Sequence, residues 1–260
     1  MRFEFGKNWT SYSRTSLDQE KIAQARNDLA ELLGNRDWTG KKVLDIGFGQ
    51  GLSLCLLAET GAEVYGLDID PDNVAALSAT ADQFHLDHMP EVKIGSILDE
   101  SVMSDYLQRG KFDLVHSWGV LHHTGNMNAA IRNACRLVKD DGLLVISIYN
   151  RHWSSPAWKQ IKWLYNKMPS PGKHLMVSSL YGVIYIAKYL VTGQNPKKKR
   201  RGMDFRHDVV DWVGGYPYEY ASIAEIETLM ETMGFQKMNV KSNPVPTACN
   251  EFTYFRSHEC

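Results

Sequence analysis

Cysteine is scarce. Four residues, Cys55, Cys135, Cys249 and Cys260, stand far apart in a chain of 260, a spacing that gives no disulfide framework and implies reduced thiols in a cytoplasmic protein. Cys55 and Cys135 fall in helical apolar patterns, where buried thiols are common. Charge of one sign is also lacking. The formal net charge is −1, which removes any whole-molecule bias toward nucleic acid. The one basic run, "KKKRR" from Lys197 to Arg201, reads as a solvated loop, with an anionic partner or lipid surface as the alternative. The N-terminal "MRFEFGKNWTSYSR" has no apolar core of a signal peptide, so none is expected. No run reaches the roughly 18 apolar residues of a membrane span. The nearest, Leu175 to Val191, is interrupted by Ser178, Ser179, Gly182 and Lys188. It reads as a buried or lid helix, with a membrane-surface helix as the alternative. Internal repeats and low-complexity tracts are absent.

What is present is an alternation of periods. "KVLDI", "EVYGLDI", "EVKIGS", "FDLVHSW" and "GLLVISIY" read as short, continuously apolar strands, the pattern of buried parallel strands. Between them lie the helical patterns "LSLCLLAET", "DNVAALSATADQF", "ESVMSDYLQR" and "NMNAAIRNACRLV", the second opened by Pro71 and the last capped by Asn126. Strand–helix alternation predicts an α/β parallel sheet covered on both faces. Ligands of such sheets bind beyond the carboxyl ends of the strands. After Tyr149 the pattern changes to a segment rich in Trp, Tyr, Lys and Pro. A helix then opens at Ser222 with Glu225 three residues on, a capping box, and "FQKMNVKS" and "EFTYFRS" read as two closing strands. The division expected is a cap segment over 1–40, a cofactor-binding core over 41–150, a substrate-lid insertion over 151–221, and the closing helix and strands over 222–260.

The most informative stretch is "VLDIGFGQG", Val43 to Gly51. A dinucleotide loop reads G-x-G-x-x-G. Here Gly47 and Gly49 fit, but Leu52 holds the third position and the third glycine is Gly51. Asp45 stands two residues before the first glycine. A carboxylate there repels a pyrophosphate and suits an ammonium or sulfonium ligand. Asp68 ends the second strand, placed to accept from both hydroxyls of a ribose, with Ile69 beside it to lie against a base. Ser96, Ile97 and Asp99 follow the third strand as polar groups and an apolar wall near an adenine edge.

"VLDIGFGQG", "VYGLDID", "VKIGSILD", "FDLVHSWGVLHHT" and "LVKDDGLLVISIYN" together resemble the ordered motifs of class I S-adenosylmethionine-dependent methyltransferases, strongly over residues 40–150. The resemblance implies a Rossmann-like doubly wound sheet of seven strands, ordered 3-2-1-4-5-7-6 with strand 7 antiparallel, and S-adenosylmethionine as cofactor, with S-adenosylhomocysteine as product. It implies that Asp45, Gly47 and Gly49 border the methionine end, that Asp68 holds the ribose, that Ser96 and Ile97 flank the adenine, and that Ser117 and Trp118 run under the cofactor. Phe48 departs from the small residue or cysteine common at its position, and its ring is expected to narrow the methionine side.

Methyl transfer from a sulfonium asks mainly for positioning, and for a base only if the nucleophile must lose a proton. His122 and His123, after strand four, and Tyr149, past strand five, are the candidates, with Asn150 beside them. A brace for the loop is the alternative role for one histidine. His85 and His88 are three apart without further ligands, so no metal site is expected. In the insertion, "DFRHDVVDWVGGYPYEYAS" concentrates polar aromatics in irregular backbone and reads as substrate pocket. Arg206, Tyr216, Tyr218 and Glu219 are the candidate contacts, and a dimer contact is the alternative. N-terminal segments of related enzymes often fold over the cofactor, so Trp9, one helical turn from Tyr12, is expected there, with aromatic packing on the core as the alternative, and Asn250 and Glu251 could reach the pocket rim. The function expected is methyl transfer to O, N or S of a small molecule, with no nucleic-acid partner, no integral membrane segment and a possible homodimer. A lipophilic, quinone-like acceptor at a membrane surface is the alternative. A nicotinamide-dependent oxidoreductase and a non-catalytic cofactor-binding protein are the readings of other classes.

Overall fold

The computed structural model describes residues 5–34, 36–86, 88–196, 205–243, 245 and 247–257, without the side chains of 5, 7, 8 and 14. The basic run at 197–201, Asp204 and Cys260 lie outside the described residues.

Strands β1 (Lys42–Ile46), β2 (Glu63–Asp68), β3 (Glu91–Ile94), β4 (Phe112–Trp118) and β5 (Val138–Tyr149) pair in parallel. The closing strands β6 (Phe235–Lys241) and β7 (Cys249–Arg256) complete one seven-stranded sheet in the order β3-β2-β1-β4-β5-β7-β6. β7 runs antiparallel to both neighbours. The expected topology is therefore the observed one. β5 starts at Val138 rather than Gly142, because the chain bends at Asp141, whose φ is +61°.

On one face, α5 (Glu100–Gln108), α6 (Met127–Leu137) and α10 (Ile223–Thr232) cover Leu44, Ile46, Leu67, Val115, Leu144 and Ile146. α6 buries Met127, Ala130, Ile131, Ala134 and Cys135, spaced three and four apart, a single stripe facing the sheet. Each large apolar side chain so buried contributes about 1.5–3 kcal/mol. α10 carries the capping box read from the sequence: Ser222 Oγ accepts from Glu225 N–H, and the Glu225 carboxylate accepts from Ser222 N–H. On the other face, α2 (Gln19–Leu33), α3 (Leu52–Ala58) and α4 (Asp72–Ala81) cover Val43, Val64, Leu114, Leu143 and Val145. The N-terminal α1 (Phe5–Thr15) packs on α4 and folds over the glycine loop, with Gly6 N–H donating to Asp70 at 2.8 Å.

The insertion forms α7 (Ser155–Lys167), α8 (Ser170–Thr192) and α9 (Phe205–Gly214). It has a small core of its own, made of Tyr165, Ile184, Phe205, Val209 and Val213. Of α8 only Ile184 is buried, so this helix is not a core helix. By length and composition alone α8 could cross a bilayer, which corrects the expectation that no segment reaches that length. Lys188 of α8 instead ties it to Asp208 of α9 at 3.0 Å.

Candidate functional site

The second face leaves a gap. α2, α3 and α4 cover the sheet over β1 to β3, while the alternate residues of β4, β5 and β7 beyond them are polar. Register places Asp45 beside His116, and Trp118 opposite Ser147. It also sets Ser147 opposite Glu251 and Val145 opposite Thr253. Over this stripe, under α8 and α9, lies one continuous cavity of about 1420 Å³.

One end is built by the strand tips. Asp45, Gly47, Phe48 and Gly49 of the first loop, Asp68 and Ile69 after β2, Ser96 and Ile97 after β3, Trp118 of β4 and Trp9 of α1 all line it. Gly47 has φ +76°, and a β-carbon there would stand 2.3 Å from Val120, so only glycine admits this turn. The Asp68 carboxylate accepts Gly49 N–H at 3.0 Å and Asp70 N–H at 2.9 Å. Burial pushes its pKa above the usual carboxylate range, against the pull of those two bonds. Trp9 lies over Gly49, its Nε1 3.3 Å from where a β-carbon would be. The Phe48 ring packs on Gly66, where a β-carbon would come within 2.9 Å of it. The ring thus packs over β2 while Phe48 still lines the cavity.

Two histidines follow β4, and the structure separates them. His123 lines the cavity, and its Nδ1 meets the Pro217 carbonyl at 2.6 Å. Nδ1 therefore carries the proton, and in the neutral ring Nε2 is the basic nitrogen. His122 is fully buried and outside the cavity wall. Its Nδ1 accepts Tyr149 N–H at 3.3 Å, and burial holds its pKa well below the histidine range. His122 is the brace. Tyr149 is in the wall and packs against the His122 ring, centroids 4.1 Å apart; burial raises its phenol pKa well above 10.

Five expectations are corrected. Ser117 faces away from the cavity and donates to the Ile46 carbonyl at 2.9 Å, because it sits one residue out of phase with His116 and Trp118. Glu219 accepts from Met127 N–H at 3.1 Å and caps α6. Tyr218 is wholly buried behind Tyr149. Arg206 and Tyr216 lie outside the cavity wall, Arg206 on the exposed side of α9. The insertion instead contributes to the wall Trp158 of α7 and Asp208, Asp211 and Trp212, which lie one helical turn apart on α9. From the last strands Cys249 and Glu251 line the cavity, whereas Asn250 is turned to Asn243. Among the described residues no three metal-ligating side chains are gathered.

Two residues were missed. His116 sits inside an apolar strand, and its one signal was polarity at a position that register aligns with Asp45. Lys162 of α7 is fully buried behind Tyr149, its ammonium donating to the Trp212 carbonyl and lying 4.8–5.4 Å from the rings of Tyr149, Trp212 and Tyr218. Burial pulls its pKa from 10.5 to about 7.

A seven-stranded sheet of this order, with a glycine turn after β1 and a carboxylate at the tip of β2, is the arrangement that the resemblance to class I S-adenosylmethionine-dependent methyltransferases implied. The chain belongs to the family described as a methyltransferase domain, whose model matches residues 16–239. Among curated relatives, a ubiquinone biosynthesis O-methyltransferase of Bradyrhizobium diazoefficiens is 29% identical over 168 residues, 56% of this chain and 62% of that protein. One of Glaesserella parasuis is 35% identical over 113 residues, 43% and 47% of the two chains. The chain thus aligns with about half of each relative. The magnesium protoporphyrin IX methyltransferase of Synechocystis PCC 6803, solved with bound S-adenosylhomocysteine, shares the fold with a TM-score of 0.57 at 18% identity, covering 96% and 94% of the chains. The [4+2]-cyclase SpnF does so at 0.55 and 12% identity, over 89% and 79%, so the fold alone does not dictate the reaction.

Proposed function

We propose that the protein transfers the methyl group of S-adenosylmethionine to an oxygen, nitrogen or sulfur atom of a small molecule. The observation that carries this is the single cavity joining the strand tips to the lid, with Tyr149 and His123 in the wall between the two ends. The strand-tip end fits a positively charged nucleoside. Asp45, Asp68, Asp70 and Asp72 line it, while the lysines of the described wall, Lys188 and Lys241, stand on α8 and β6. Among the described residues of that end a phosphate-bearing dinucleotide would meet four carboxylates and no cation.

In this reading Asp68 would hold the ribose, Ile69 and Ile97 would sandwich the base, Ser96 would meet its edge, and Asp45 would face the methionine end. Bound S-adenosylmethionine supplies a methyl group already activated on sulfur. The chain's work is then to align the acceptor and to exclude water, which the lid core and Trp9 do. His123 Nε2 is placed to take the acceptor's proton, and Tyr149 to orient the acceptor atom. Calorimetry with S-adenosylhomocysteine, followed by transfer of a labelled methyl group to candidate phenols, thiols and amines, tests the proposal. Absence of donor binding would refute it, and donor binding without transfer to any acceptor would leave a cyclase-like or regulatory role.

A second reading, a lipophilic acceptor met at a membrane, is favoured by α8. Its inner side gives Ile184, Ala187 and Val191 to the cavity. Its outer side exposes Leu175, Val183, Ile186 and Leu190, and Trp153, just before α7, is 86% exposed. A helix apolar on both sides can lie in a lipid interface and open the cavity toward it. The names of the curated relatives and the basic run that starts five residues past the helix in sequence support this reading, and a cytoplasmic protein would act from the inner leaflet. Flotation with anionic vesicles checks it: a protein that stays in the aqueous fraction removes it.

A further inference from the structure

His116 is fully buried, and its Nδ1 lies 2.7 Å from Asp45 Oδ1, with the two side chains 1% and 4% exposed. The carboxylate accepts a hydrogen bond from Nδ1–H, so in the neutral ring the lone pair is on Nε2. That nitrogen is buried and has no hydrogen-bond partner. A buried acceptor without a donor is costly, and His116 forms part of the cavity wall together with Asp45, Gly47 and Trp118. Trp118 stacks on its ring at an interplanar angle of 8° and holds it upright. Because His116 stands in the wall of the cavity, a group bound there is the candidate donor. It must be an N–H or O–H group, and the neighbouring carboxylate favours a cation.

We propose that His116 is a donor-positioning residue: its Nε2 accepts a hydrogen bond from the ammonium of the methionine end of S-adenosylmethionine, while Asp45 supplies the opposite charge and fixes the ring. This rests on the donor site proposed above and adds to it a recognition element for the amino-acid end. An imidazole fixed by a carboxylate accepts at one defined point, whereas a lone carboxylate attracts any cation. The Asp45–His116 pair thus selects an amino acid over a bare thioether.

The test is calorimetry at pH 8 with two probes. S-adenosylhomocysteine carries the amino-acid end; 5′-methylthioadenosine shares the nucleoside and thioether and lacks it. His116→Asn keeps an N–H at the Nδ1 position for Asp45 and removes the acceptor at Nε2. Its affinity for S-adenosylhomocysteine is expected to fall about ten- to hundredfold, with less than about a twofold change for methylthioadenosine. His116→Gln, which returns an amide oxygen near the Nε2 position, is expected to recover part of the loss, and it serves as the second variant should His116→Asn not fold. Equal weakening of both probes would assign His116 a structural role and overturn the proposal. So would unchanged binding of both probes, the result if a water fills the site. Wild type binding neither probe would remove the donor site itself, and that outcome is distinct from wild type binding both with His116→Asn indifferent.

Discussion

Replacing Lys162 by Met puts the packing of the lid to a quantitative test. The ammonium lies wholly inside, donating to the Trp212 carbonyl, with three aromatic rings around it. Its pKa falls from 10.5 to about 7 because burial disfavours the charge. The folded chain therefore holds fewer protons than the unfolded chain between those values, and stability must rise with pH across that window. Stability from this group is greatest above the unfolded value and is lost as pH falls toward 7. At about 1.4 kcal/mol per pH unit the full span is about 5 kcal/mol, of which about 2 kcal/mol falls between pH 7 and pH 9. Met fills the same slot without a titrating group. It leaves the Trp212 carbonyl unpaired, at about 1–3 kcal/mol, so its stability at one pH is a balance of two terms. The pH slope is not. Urea unfolding of both proteins at pH 7, 8 and 9 isolates it, since all other titrations cancel in the difference. Wild type should gain about 2 kcal/mol more than Lys162→Met from pH 7 to pH 9. Parallel profiles would refute the argument that a buried, near-neutral lysine braces this wall of the cavity.

Asp68→Asn exchanges a carboxylate that accepts two backbone N–H groups for an amide that can accept one. Relief of the buried charge offsets the lost bond, so unfolding free energy should shift by no more than about 1–2 kcal/mol; affinity for S-adenosylhomocysteine should fall at least about tenfold, and unchanged affinity would exclude Asp68 as the ribose ligand. Burial raises the Asp68 pKa above 3.8, so its charge is lost at a higher pH than for an ordinary aspartate, and donor affinity should decline as pH falls through that raised value, measurable by fluorescence titration. His123→Gln should lower turnover by about 10²–10⁴ and abolish the acidic limb of the pH–rate profile while leaving donor affinity within about twofold; a profile that keeps its limb would assign the proton elsewhere. Gly66→Ala drives a methyl group into the Phe48 ring and Val92 at 2.9 Å and Leu54 at 3.0 Å, at a cost of about 1–3 kcal/mol, and Phe48→Leu in the same chain should recover only part of it in thermal melts.

Much of the fold was legible before the structure. Alternating periods, the Pro71 and Asn126 starts and the Ser222 capping box are local signals, and each reports its own element. The glycine turn and the acids at the tips of β1 and β2 were legible for the same reason: a strand tip is defined by its own few residues, and in a parallel sheet all tips open to one edge. Ten of the eleven residues expected around the donor line the cavity. The exception, Ser117, is a matter of phase, since alternate residues of one strand face opposite layers.

The acceptor end was not legible. Nothing in "LHHT" says that His122 would be sealed under Tyr149 while His123 reaches the cavity; that depends on where the Pro217 carbonyl arrives, 94 residues along the chain. Tyr218 and Glu219 looked like ligands because they are polar aromatic and charged, yet tertiary packing uses one as filler and the other as a helix cap. Asp45 alone reads as a charge, and only the register of β1 against β4 makes it half of a pair with His116. Sequence by itself determined the seven strands, α3 to α6 and α10, and the sheet edge at which the cavity opens, because propensity, periodicity and turn chemistry act over a few residues. The lining of the cavity was decided by tertiary structure, because each side chain's exposure there depends on a partner supplied from a distant part of the chain.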